Sequence, residues 1–122
     1  MMQSNTNILI IDNDPSYVTE LLSFMPTYSL FSFSTLTNHA SLRIPNDLEK
    51  FHLIITEIIN SSSFRFLQHM HHLLPQVKTM VLTWHKLNEQ EQKRLYSYKT
   101  WYSEKPIFPL AFMTTLDQVL ST

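Results

Sequence analysis

An α/β fold, a parallel sheet with helices on both faces, is what this sequence predicts, and three observations carry it. Short apolar runs rich in β-branched residues recur at 8–11, 53–56 and 77–82, as expected of strands buried on both faces. Segments with apolar residues at helical spacing lie between them, giving five strand-then-helix units. The first run also breaks off into Asp12-Asn13-Asp14-Pro15. Open α/β sheets bind their ligands at that end of a strand.

Each element follows from its own residues. After strand 8–11, Asp14 suits an N-cap and Pro15 the first turn of a helix over 15–24, with Tyr17, Val18, Leu21 and Leu22 as its apolar stripe. A second strand is expected over 29–34, where Leu30, Phe31 and Phe33 are interspersed with serines. The connection 38–50 should hold only a short helix, because Pro45 interrupts it. Strand 53–56 leads to a helix over 64–74, ended by Pro75, and strand 77–82 to the most charged helix, 88–97. A fifth strand over 100–102 and a helix over 109–120 complete the series.

Composition narrows the function. A chain of 122 residues fits one domain, and 9 Lys+Arg against 10 Asp+Glu leave no basic field for nucleic acid. The absence of Cys excludes disulfides and thiolate chemistry. The absence of Gly disfavours the glycine-rich phosphate loops of nucleotide-binding proteins. The polar start is no signal peptide, and no apolar run is long enough to span a membrane, so a cytoplasmic location without membrane association is expected. His69, His71 and His72 share one helix without a carboxylate or Cys beside them, and read as a solvated face.

Four landmarks then carry a resemblance: Ile-Ile-Asp-Asn-Asp-Pro at 10–15, Leu-Ile-Ile-Thr-Glu-Ile at 53–58, Val-Leu-Thr-Trp at 81–84 and Tyr-Ser-Glu-Lys-Pro at 102–106. In this order and spacing the chain resembles a response-regulator receiver domain over almost its whole length. The resemblance implies a flavodoxin-like doubly wound sheet of order 2-1-3-4-5. It also implies phosphoryl transfer to an Asp after the third strand, assisted by a divalent cation, a Lys and a hydroxyl. Lys105 matches the family's Lys, Thr83 its hydroxyl residue, Asp12 its first acid and Tyr102 its switch aromatic.

The departures matter more. Glu57 stands in place of the phosphoaccepting Asp, and its extra methylene displaces the carboxylate in a geometry that tolerates roughly 1 Å. Asn13 replaces the main metal-ligating acid and removes charge from a site for a hard cation, although Asp14 lies nearby. Trp84 follows the hydroxyl where the family usually has a small residue. These residues form a degenerate pocket in which Glu57 and Lys105 are expected to pair. Neither a metal, a cofactor nor enzymatic activity is expected.

The last third points to an interface. In the OmpR/PhoB subfamily the position of Trp101 is commonly acidic and pairs with an Arg on the last helix, yet residues 109–120 contain no Arg or Lys. Trp101, Phe108 and Leu110 are hard to bury together in one monomer, and with Arg94 and Asp117 they define an expected homodimer face on helix 88–97, strand 100–102 and helix 109–120. The resemblance thus implies a phosphorylation-independent receiver that dimerises a transcriptional regulator, with DNA bound only by a domain downstream of Thr122. A stand-alone interaction adaptor and a conventional phosphoacceptor receiver are the alternatives.

Overall fold

The computed structural model describes residues 5–26 and 30–122. Five strands, β1 (Thr6–Ile11), β2 (Phe31–Leu36), β3 (Leu53–Thr56), β4 (Lys78–Thr83) and β5 (Thr100–Glu104), form one parallel sheet of order β2-β1-β3-β4-β5. Four helices accompany it among the described residues: α1 (Pro15–Ser23), α2 (Ser61–Leu73), α3 (Glu89–Ser97) and α4 (Pro109–Leu120). The doubly wound order is the expected one.

Side-chain alternation divides the core in two. Leu9, Ile11, Ile54 and Val81 pack on Phe64, Leu67, Met70 and Leu95 of α2 and α3. Ile8, Ile10, Leu53, Ile55 and Met80 pack on Val18, Leu21, Phe112, Leu116 and Val119 of α1 and α4. β1 and β3 bury both faces, which is why their sequences run apolar without a break.

Caps fix several helix starts. The Asp14 carboxylate accepts the Tyr17 N–H at 3.1 Å, as its place before Pro15 predicts. Asn88 and Glu91 form a reciprocal capping box at α3. Asn60 caps α2 through the Ser62 N–H at 2.9 Å, so this helix begins at Ser61, earlier than the apolar spacing indicates.

Two expectations are corrected. No α-helix forms over residues 38–50. Local bonds compete for the backbone there: Asp47 accepts the Arg43 N–H at 2.8 Å, Asn38 accepts the Ala40 N–H at 2.9 Å, and Pro45 offers no N–H. Turns result, anchored by the buried Leu48 and Phe51. Strand β2 lies two residues later than the expected 29–34, because its pairing with β1 runs from Thr6 opposite Phe31 to Ile11 opposite Leu36. Ser29, at the expected start, lies outside the described residues.

Candidate functional site

The ends of β1, β3, β4 and β5 converge on one buried ammonium. The Nζ of Lys105, just after β5, donates to Asp12 Oδ2 at 2.6 Å and to Glu57 Oε2 at 2.8 Å. The Lys105 side chain is fully buried and both carboxylates are nearly so. The parallel register brings these positions together: Glu57 N–H donates to Ile11 O and Lys105 N–H to Thr83 O, continuing the ladders past the strand ends. Burial by itself would lower the Lys105 pKa. The hydrogen bonds it donates to Asp12 and Glu57, with the charges of those groups, outweigh that and hold the ammonium above its ordinary range.

The remaining carboxylate oxygens are differently placed. Asp12 Oδ1 accepts the Asp14 N–H at 2.8 Å. Glu57 Oε1 is buried and has no hydrogen-bond partner among the described residues. Thr83 Oγ1 accepts the His85 N–H at 3.3 Å and donates weakly to Ile58 O at 3.5 Å. Asn13 is exposed beside the cluster.

Two aromatic rings close over the Lys. The Lys105 Nζ lies 4.9 Å from the Tyr17 ring centroid and 5.7 Å from that of Trp84, and the two rings meet edge to face at 5.4 Å. The Tyr17 hydroxyl also accepts the Ile107 N–H at 3.0 Å, tying α1 to the loop before α4. Sequence reasoning assigned Tyr17 only to an apolar stripe. Nothing in local spacing reveals a contact between residues so far apart in the chain.

The donor set does not fit a divalent cation. Asp12 and Glu57 each give one oxygen to Lys105, Asp14 is engaged as a cap, and Asn13 is neutral. Among the described residues no group of three or more His, Cys, Asp or Glu is arranged to hold a metal, the exposed His69 and His72 included.

Tyr102 packs against the core on the α2 and α3 side. Its hydroxyl accepts the Leu87 N–H at 3.0 Å and donates to Glu104 at 3.2 Å. Burial, together with the Glu104 carboxylate, pushes the phenol pKa up, against the opposing effect of the Leu87 N–H. Of the residues assigned to an interface, Phe108 and Leu110 are 79% and 75% exposed, Trp101 is 38% exposed, and Asp117 is exposed. Trp101 pairs in register with Met80, so it stands on the α4 side of the sheet's β5 edge. Arg94 is exposed as well; its guanidinium lies 4.7 Å from the Phe64 ring of α2, and its Nε donates to the Tyr98 hydroxyl at 3.0 Å.

No protein-family model matches the sequence, and no curated protein matches it. Solved structures do. The orphan response regulator HP1043 of Helicobacter pylori superposes with a TM-score of 0.81 at 12% identity, covering 98% of this chain and 99% of that one. The receiver domain of ChxR from Chlamydia trachomatis gives 0.63 at 15% identity, covering 96% and 99%. DrrB, an OmpR/PhoB homologue of Thermotoga maritima, gives 0.74 at 16% identity, and there this chain spans 53% of the longer protein. The fold of this chain is therefore that of response-regulator receiver domains. No helix among the described residues is long and apolar enough to cross a membrane.

Proposed function

We propose that this chain is a phosphorylation-independent receiver domain that dimerises a transcriptional regulator, with DNA contacted by another domain and no enzymatic activity of its own. One observation carries the reading: Lys105 is held at once by Asp12 and Glu57, at 2.6 and 2.8 Å. A receiver's Lys has to be available to an incoming phosphoryl group. Here it would have to leave two carboxylates, with no cation to offset the charge. Glu57 Oε1, the remaining candidate nucleophile, is out of contact with solvent.

The Lys105 ion pairs are buried beside a cavity of about 160 Å³ lined by Asp12, Asn13 and Glu57, and the α4–β5 edge is exposed. Trp101 lies near the start of β5, while Phe108 and Leu110 lie at the start of α4, which returns along the sheet. The apolar residues thus mark the two ends of a face about 18 Å long, the length of a 12-residue helix. The resemblance of the sequence to OmpR/PhoB receivers suggests a dimer role for this face, and the fold shared with the OmpR/PhoB homologue DrrB is compatible with it. Arg94, exposed on α3, keeps its place at the rim of this face while its guanidinium rests over the Phe64 ring.

Sedimentation of the parent chain against Trp101→Ala tests the dimer. Association in the parent at tens of micromolar, about 6–7 kcal/mol, is expected, with a loss on the order of 2 kcal/mol in the variant. Made on Ser32→Lys with Ser34→Lys, which burdens the β2 edge with charge, the comparison isolates this face: a monomeric parent, or a Trp101→Ala variant that associates as well as the parent, would refute the reading.

A further inference from the structure

The opposite edge of the sheet is β2, and among the described residues it lacks the usual protections. Soluble proteins guard edge strands with charges, prolines, bulges or a covering element. From Leu30 to Asn38 there is no charged residue and no proline. The pairing with β1 runs through six consecutive positions without a bulge, and residues 38–50 form turns where a covering helix was expected.

The strand is also nearly palindromic. Residues 30–36 read Leu-Phe-Ser-Phe-Ser-Thr-Leu, so that about Phe33 serine matches serine and leucine matches leucine. Leu30 O and Leu36 O accept bonds from the N–H of Thr6 on β1 and of Asp12 just after it, both at 2.8 Å. The even-numbered residues therefore direct their backbone inward, and Phe33 and Thr35 direct theirs outward.

We infer that β2 is a self-association edge: a second copy adds antiparallel across a twofold axis at Phe33, joining two five-stranded sheets into one. That register sets Phe33 against Phe33 of the second copy as a hydrogen-bonded pair, which its outward backbone requires. Ser32 then faces Ser34 of the copy, and Leu30 faces Leu36, all on one side of the sheet. Leu30 and Leu36 are 49% and 38% exposed in the single chain, and each would cover the other. With no charge in the strand, self-pairing brings no like charges together. A groove of about 410 Å³, lined by Ser34, Leu36, Leu42 and Phe51 among others, leaves room beside this face for the copy's side chains.

The absence of native Cys allows a register-specific test. Ser32 and Ser34 of the second copy would form a non-hydrogen-bonded pair with Cα atoms about 4.5 Å apart, within disulfide range. The double variant Ser32→Cys with Ser34→Cys, made on Trp101→Ala to remove the other face, is expected to give a covalent dimer on mild oxidation, and neither single variant should. Sedimentation supplies the second readout in the same background. Ser32→Lys with Ser34→Lys should weaken association at least tenfold, and Ser32→Lys with Ser34→Glu should retain it, circular dichroism confirming the fold of each. A double-cysteine variant that stays monomeric, single variants that cross-link equally, or equal association of the two charge variants would overturn the inference.

Discussion

The strand-end pocket and the α4–β5 face reverse the usual distribution of polarity. In the pocket, three ionisable groups are buried against one another, and the cluster of Asp12, Glu57 and Lys105 carries one formal negative charge. On the face, Phe108 and Leu110 stand in solvent. A buried ammonium with two close carboxylate partners resists rearrangement, since removing one partner strands a charge. An exposed apolar side chain gains from any partner that covers it. The difference teaches that one receiver fold can bury its ionisable groups at the strand ends while leaving large apolar side chains in solvent at an edge.

The largest expected effect breaks the pocket. Lys105→Met leaves two buried carboxylates side by side and should cost about 3–5 kcal/mol in urea unfolding. Glu57→Gln keeps the Lys105–Asp12 bond and should cost less, at most about 1.5–3 kcal/mol, the worth of one hydrogen bond to a charged group. If the two variants unfold alike, the pocket does not act as one ionic cluster.

Alkaline pH sharpens the same point. The Lys105 pKa is raised on folding, so its contribution is complete below the unfolded value of about 10.4 and disappears as pH rises through the folded value. Tyr102 shifts in the same direction, so Tyr102→Phe is the proper background. Urea midpoints followed from neutral pH to about pH 11 should fall more steeply with Lys105 present than in Lys105→Met.

The smallest effect concerns the face. If Trp101 and Phe108 replace ion pairs, association through α4 and β5 should change by less than about twofold between low and high salt, because apolar contacts are not screened. A strong decline of sedimentation mass with salt would assign the contact to charges instead.

Much of the site was legible in the sequence because strand ends are marked by local chemistry. Apolar runs that stop at Asp12, Glu57 and Thr83, with Lys105 just after the fifth strand, place those residues at one edge of a parallel sheet, and the Glu57–Lys105 pair follows from that placement. Asp12 as the second partner of Lys105, and the rings of Tyr17 and Trp84 above it, depend on side-chain directions that spacing does not encode. The orientation of Arg94 toward Phe64 is of the same kind. The missing helix over 38–50 has a different origin: side chain–backbone bonds at Asp47 and Asn38 override a weak helical pattern already interrupted by Pro45.

Intact-mass measurement after incubation with acetyl phosphate and magnesium tests the proposed phosphorylation independence most directly, with sedimentation before and after. An unchanged mass and the same association state are expected, because Lys105 is paired with both carboxylates. A stoichiometric phosphoryl adduct on Glu57, or association that appears only after the treatment, would contradict it.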